Sequence, residues 1–509
     1  MADGPTPPPA NQDTPDEEKQ SNANSANEEG NGGDNGAGPL NGSTTNDSQT
    51  PAWEWRDDPA NPYNWPKWKK NVQLAMIAIT AFSGSLATSI VSPAHGEFMA
   101  QFGVSSTVAF LPLSLYVLSL GLGPVLGGPL SEVAGRRIVY LIAPTLGGIF
   151  SLACGFTRSF VGLCIMRFLA GFFYAPSLAV GSGVLNEIYY PAERGLPLAL
   201  FILSPFLGPG LGPVVGVFLV DRKGWPWTQF TVVFLSVFTL IWVLLTPETY
   251  HPLLIRRRMS QLHLTPPKQP PFASLVSQFL TIGLVRPLHM ILTEPIVGIL
   301  GLYIACEFGT LYLFFGAFFL VFQGPTYGFT LVQSGLVFLA VALGCVLGTG
   351  LVYLCDRFLY RPKVKHFPPN QIPPEHRLYS AMFGTLLLPT ALLWFGWSAR
   401  PGVSPAVPIV AIALFACGNV SLFISSMQYI GDVYHRTNVA SAASANALMR
   451  YIFGTVFPLF GLQMYRRLGT GWATSVLALI ALILLPGPWL LFKYGKKFRA
   501  MSKYETASY

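Results

Sequence analysis

The chain has 509 residues, 51% of them hydrophobic and 11% charged, with a formal net charge of +8. Soluble domains carry about 25% charged residues, so the composition excludes an ordinary soluble protein and implies a polytopic membrane protein. The basic residues follow loops rather than forming a patch, which argues against nucleic acid as a partner.

Residues 1–50 hold nine Asp/Glu and one Lys, Lys19, among many Asn, Gly, Ser and Pro. Such a segment buries too little apolar surface to fold, so a disordered acidic tail is expected. It has no basic-plus-apolar leader pattern. Its Asn41 and Asn46 sequons would matter only outside the cytoplasm. Without this segment the net charge is +16.

Twelve apolar segments follow, each long enough to cross a bilayer. They run approximately over 71–93, 107–128, 137–157, 160–183, 196–220, 226–246, 294–322, 330–355, 378–397, 404–428, 437–464 and 472–492. A polar stretch, 247–293, separates the sixth from the seventh and contains "RRR" and "PPKQPP". The expected division is a tail and juxtamembrane segment over 1–65, a six-helix half over 66–246, and a linker over 247–293. A second six-helix half spans 294–495, and a short tail 496–509. The fold class is an all-α membrane protein of twelve transmembrane helices in two halves.

Of the 32 Lys and Arg, 23 fall on one side of this arrangement and six on the other. Basic loops stay cytoplasmic, which places both termini in the cytoplasm. "NWPKWKK" before the first span and "KYGKKFR" after the last supply Trp, Tyr and Lys at headgroup depth. "LGPVLG" late in the second span echoes "LGCVLG" late in the eighth, each followed by an acid, Glu132 and Asp356. That echo suggests a duplicated six-span unit, an arrangement transporters use. The six Cys all lie in or beside apolar runs, with no C-x-x-C pair. They read as small buried hydrophobes, with no disulfide or metal site.

"GGPLSEVAGRR" joins spans two and three. A basic turn here would by itself be topogenic, but Gly128, Leu130, Glu132, Gly135, Arg136 and Arg137 form the more specific pattern G-x-L-x-(acid)-x-x-G-R-R. Glu132 is expected within reach of a loop arginine or a helix N-terminus. The pattern resembles the loop signature of the major facilitator superfamily. Gly208, Gly212, Pro213 and Gly216 of "SPFLGPGLGPVVGVFL" resemble the fifth-span signature of its antiporters, although Val217 stands where that signature ends in Gly. Small residues four apart let helix backbones meet in lipid, and Pro213 removes a backbone donor. The stretch is either a bendable seam or a static glycine-packed helix. "NPYNWPKWKK", "RFLAGFF", "PAERG" and "PETYHPLLIRRR" extend the resemblance, over about residues 55–495, to the twelve-span drug–proton antiporters of fungi.

That resemblance implies the major facilitator fold, two halves rocking around a midplane site, and proton-coupled efflux of hydrophobic or amphipathic molecules such as drugs, toxins or polyamines. It implies no cofactor beyond the proton gradient. The partners implied are the lipid bilayer, a small-molecule substrate and protons, for a monomer in the plasma membrane, with the vacuolar membrane as the alternative. Relatives carry an acid late in span seven, where this chain has Gly316, and the aromatic start of span six is altered to Trp225-Pro226-Trp227. Glu307 lies nine residues earlier, about half a helical turn out of phase with that position.

Three ionisable residues fall inside spans: Arg167, Glu307 and Arg450. Each costs roughly 2.5–3.5 kcal/mol to insert at a helix centre, so each is a candidate for proton or substrate coupling. Arg167 matches the arginine of the family's fourth-span pattern. Glu307 and Arg450 are near enough in the expected topology to pair, which would make both structural. Tyr116, Tyr174, Asn419, Gln428 and Asn446 suit an apolar cavity with a few polar anchors, or plain helix packing.

Two other function classes were weighed. An importer or facilitator of a polar nutrient fits the missing late acid in span seven but not the antiporter-like fifth span. A membrane enzyme would need a catalytic motif, and the sequence holds no H-E-x-x-H, G-x-S-x-G or G-x-x-x-x-G-K-[ST].

Overall fold

The computed structural model describes residues 54–190, 193–265, 281–368, 372–434 and 436–506. The acidic segment up to Trp53, with Lys19, Asn41 and Asn46, lies outside these, as does the centre of the linker.

Ten helices run as labelled: α1 (Lys67–Ser89), α2 (Leu111–Ala134), α3 (Arg136–Phe156), α4 (Phe160–Ile188), α5 (Gly195–Lys223), α6 (Pro226–Leu245), α7 (Pro295–Gln323), α8 (Leu339–Cys355), α9 (Tyr379–Ser398) and α10 (Ala406–Val433). The stretch Arg436–Leu484 is nominally continuous, but Gly469 is non-helical, with φ 74° and ψ 167°. At about 1.5 Å per residue an unbroken helix of that length would more than double the ~30 Å hydrocarbon core. It is therefore two spans, α11 (436–468) and α12 (470–484), and Pro486–Ala500 continues α12. Only glycine takes that φ without strain, so Gly469 makes the hairpin.

The halves repeat one packing scheme. In the first, α1 packs on α5, α2 on α4, and α3 on α4 and α6. In the second, α7 packs on α11, α8 on α10, and α9 on α10 and α12. Every partner shifts by six, as the echo between the second and eighth spans suggested. The halves join through α2 against α11 and α5 against α8. One face of the bundle carries the α2–α3 turn, the end of α4 and the short helix His251–Gln261. Arg136, Arg137, Arg256, Arg257 and Arg258 make this the basic face.

Helix α5 stays helical despite Pro205, Pro209 and Pro213 inside it. Pro209 has no N–H to give the Pro205 carbonyl four residues back. The Ser85 hydroxyl of α1 donates to that carbonyl instead, at 2.5 Å. Ser89 donates to Gly208 O at 3.1 Å. A backbone group left open in lipid costs several kcal/mol, and Ser85 offsets that cost at the Pro205 carbonyl, while Ser89 adds a second bond from α1 to α5. The serines reach because α5 presents glycine to them. A Cβ on Gly208 would lie 2.7 Å from Leu86 N, and one on Gly212 would lie 3.0 Å from Ile90 N. Gly216 lies against Ile90 O in the same row.

Between α6 and α7, the ends of the expected linker are structured. His251–Gln261 and Arg286–Thr293 are helical. Segment 54–66 folds back over the first of these. Trp55 Nε1 donates to His251 Nδ1 at 3.0 Å, Arg258 pairs with Asp58 at 2.9 Å, and the Tyr63 and Tyr190 rings stack at 4.5 Å.

Candidate functional site

Arg167 enters the bundle from α4 and is fully buried. Its guanidinium donates to Pro112 O of α2 (3.2 Å), Thr88 O of α1 (3.3 Å) and Gln229 Oε1 of α6 (3.5 Å). It also lies 4.3 Å from the Tyr116 ring centroid. One cation thus ties four helices of the first half with no carboxylate in ion-pair range among the described residues. Thr88 carries the connection across the halves, because Tyr312 of α7 donates its hydroxyl to Thr88 Oγ1 at 3.2 Å. Tyr312 packs on Phe308, 4.8 Å between centroids.

Phe308 is one wall of an aromatic cage. The Arg450 guanidinium of α11 sits 4.9 Å from Phe308, 4.7 Å from Phe423 of α10 and 4.7 Å from Tyr451. Its buried Nε has no hydrogen-bond partner. Phe423 in turn meets Phe206 of α5 at 4.9 Å, so both halves build the cage. Desolvated cation–π contacts are worth about 2 kcal/mol or more, which helps keep a charged group inside the membrane without a counter-ion.

The expected Glu307–Arg450 pair is not formed. Glu307 is buried, and its Oε2 has no partner. The neighbouring residue Phe308, about 100° further round α7, takes the face toward Arg450. Glu307 shares its face with Tyr303, whose hydroxyl points at Thr385 O of α9, and with Phe314, which packs on Phe395 and Phe415. The carboxyl therefore sits inside the second half, off the surface that meets the first. The late-span position differs as its half-turn phase implied. A Cβ at Gly316 would lie 2.8 Å from the Phe110 ring and 3.2 Å from Leu462. An aromatic from the other half fills the space an acid would need.

Near Arg450, Asn446 lies one turn earlier on α11 and faces α7 beside Gly301. Both polar atoms of its side chain and Nδ2 of Asn419 are buried without partners. Gln428 of α10 is half-buried. Tyr116 and Tyr174 are taken up in helix packing. The Tyr116 hydroxyl donates to Gly84 O at 3.0 Å, Tyr174 bonds Ser236 Oγ, and both rings are fully buried in the first half. Aromatics this large fit best where glycines open room, and Gly84 and Gly147 both abut Tyr174.

On the basic face the loop motif is built differently from the expectation for Glu132. Glu132 is exposed, and among the described residues it makes no ion pair. Gly135, at φ 95°, turns the chain into α3, and Leu130 and Gly128 lie half-buried on the approach. Glu248, just after α6, caps α3 instead. It accepts from the backbone N–H of Arg136 (2.9 Å), Arg137 (3.0 Å), Thr249 (2.9 Å) and Tyr250 (2.9 Å). The Arg136 side chain pairs with Glu187 at the end of α4, at 2.9 Å. The second half repeats this with Arg377, before α9, and Asp432, at the end of α10, at 2.7 Å. Glu248 and Glu187 sit in the quoted "PETYHP" segment and at the close of the fourth span, but linear spacing gave no sign that either would reach the loop.

The family model described as Major Facilitator Superfamily matches residues 77–458. The chain belongs to the major facilitator superfamily. It is 34% identical over 464 residues to the citrinin biosynthesis cluster MFS transporter mrr1 of Monascus ruber, covering 89% of this chain and 91% of that one. It is 34% identical to the efflux pump FUBT of Fusarium oxysporum, covering 88% and 76% of the two chains. It is 32% identical to polyamine transporter 4 of Saccharomyces cerevisiae, covering 90% and 73%. This superfamily member is an integral membrane transporter of small molecules, and its described helices are consistent with twelve spans in two halves. Its arginines meet across the interface of those halves through Thr88, Tyr312 and Phe308.

Proposed function

We propose that the protein exports hydrophobic or amphipathic small molecules in exchange for protons, by alternating access between its two halves. The observation that carries this reading is Glu307, a carboxyl buried in the membrane with an oxygen that nothing satisfies. Protonation removes the cost of holding an unpaired carboxylate in that setting. A change in the water access of α7 between two states would then load and unload the proton. Arg167 and Arg450 flank the path between the halves. Their aromatic walls, with Asn419, Asn446 and Gln428, supply the mixed apolar and amide lining that suits an amphipathic substrate. The relatives named as an efflux pump and as a biosynthesis-cluster transporter support the outward direction.

In this reading the basic face is cytoplasmic, the membrane is the plasma membrane, the transporter works as a monomer, and the proton gradient replaces any cofactor. The loop motif closes the cytoplasmic side. The test is export of a panel of amphipathic compounds from cells lacking their own pumps, with and without a proton uncoupler. Uncoupler-sensitive export that disappears in Arg167→Ala and Glu307→Gln, with both variants reaching the membrane, supports the proposal. Uncoupler-insensitive export, or uptake, contradicts it.

A further inference from the structure

A second site lies away from the substrate path, at the basic ends of α1, α3 and α6. A cavity of about 480 Å³ opens there, lined by Trp65, Lys69, Arg137, Ile138, Leu141 and Arg257, with Glu248 at its edge. Three of these residues are cations and one is an acid. The acid is already engaged, because Glu248 accepts four backbone N–H groups. Among the described residues none of the three cations makes an ion pair. Lys69 holds its ammonium 4.0 Å over the Trp65 ring, and the one side-chain hydrogen bond of Arg137 goes to Leu244 O at 2.8 Å. Arg137 Nε is buried with no partner, and Arg257 is exposed without an ion pair.

The surroundings say what comes to this cavity. It sits at the ends of three spans, where headgroups lie. The apolar surface beside it faces lipid, with Leu245 79% and Trp68 67% exposed. Ile138 and Leu141 give the cavity an apolar wall. A cationic rim above an apolar wall at headgroup depth matches a phosphate joined to acyl chains. We propose that this cavity binds the phosphate headgroup of an anionic phospholipid from the adjoining leaflet, held by Lys69, Arg137 and Arg257. Because Glu248 also caps α3, a lipid here braces the loop motif at Arg136 and Arg137.

The test uses the full chain in phosphatidylcholine nanodiscs with and without phosphatidylglycerol, counting retained lipid by native mass spectrometry. One variant is Lys69→Gln/Arg257→Gln. The other, Lys496→Gln/Lys497→Gln, removes the same charge from exposed positions of the second half. The expected result is retained phosphatidylglycerol in the parent and in the second variant, and a loss on the order of tenfold in the first. Equal retention in all three overturns the proposal, and so does an equal loss in both variants, which would reflect diffuse surface charge. Glycerol 3-phosphate alone raising the melting temperature as much as the lipid does would also overturn it, by assigning the cavity to a soluble phosphate. Lipid retention is read without transport, so it stands or falls separately from the proton-exchange reading.

Discussion

The two halves share a packing scheme and even an ion pair, Arg136–Glu187 in one and Arg377–Asp432 in the other. They differ in how they hold the charges buried in their spans. In the first half, Arg167 has three hydrogen bonds and an aromatic face. In the second, the charged groups Glu307 and Arg450 each keep a buried polar atom without a partner, as do Asn419 and Asn446; in the first half Gln73, Ser92 and Ser114 do so too, but not the intramembrane charge. Buried polar groups are normally satisfied, so the open charged groups are the ones on which the proposed proton exchange rests. The first half braces its buried charge, and the second leaves its two buried charges without hydrogen-bond partners at Glu307 Oε2 and Arg450 Nε.

The largest separation between the halves is expected from their arginines. Arg167→Met removes three charge-assisted hydrogen bonds, and the chain should lose on the order of 3 kcal/mol or more of stability, together with transport. Arg450→Met removes only ring contacts, so transport should vanish while the melting temperature falls much less. Thermal unfolding in detergent alongside a transport assay checks both. Equal stability losses would erase the distinction between the braced charge and the open one.

Next come the glycines of α5. Gly212→Val drives a branched side chain into Ser89 and Ile90 of α1, within the first half, and should cost about 1–3 kcal/mol or more. Gly210 faces the other way, and a Cβ there would lie 2.8 Å from Ala342 N of α8 in the second half. Gly210→Val should therefore impair transport more than stability. Identical behaviour of the two variants would mean that the face a glycine presents does not matter.

A smaller effect distinguishes two acids of the first half's basic face. Glu248→Gln weakens a cap shared by four N–H groups and should cost about 1–2 kcal/mol. Glu132→Gln should cost close to nothing, because Glu132 is exposed and makes no ion pair among the described residues. Denaturant or thermal unfolding of the two variants side by side reads the difference.

The smallest effect is a pH response in the segment that clasps the first half. The Trp55 indole only donates, so His251 Nδ1 must accept from it, while Nε2 meets Glu187 O at 2.8 Å. That tautomer is neutral. Burial lowers the His251 pKa, partly opposed by the backbone bond to Glu187. The unfolded chain then takes up the proton more readily than the folded one. The clasp is fully held above about pH 6.5, the ordinary histidine value, and loosens as pH falls below it. Hydrogen exchange across residues 54–66 between pH 7.5 and 5.5 should show this, and His251→Gln should flatten it.

The twelve spans were legible because each is a long apolar run, and their repeat was hinted at by two hexapeptides. The linker's helical ends were not, since His251–Gln261 and Arg286–Thr293 are too polar or too short to register as apolar periodicity. Among candidate site residues, Arg167 stood out because charge is rare in a span. Its acceptors did not, since two of them are backbone carbonyls that any sequence supplies. The Glu307–Arg450 expectation failed on phase. Phe308 rather than Glu307 faces Arg450, and residue numbers alone do not orient α7 against its neighbours. Tyr116 and Tyr174 were placed at a cavity because tyrosine suits one, but glycines at 84 and 147 made room for Tyr174 in the core, and Tyr116 found its acceptor at Gly84 O.

Proton binding at Glu307 is what proton-driven export requires, and it can be read without knowing the substrate. Purified transporter in weakly buffered detergent would be titrated between pH 5 and 9, and bound protons counted for the parent and Glu307→Gln. The proposal predicts one proton fewer per molecule in Glu307→Gln, with the difference shifting when a transported compound is added. Superimposable curves, with or without that compound, would contradict it.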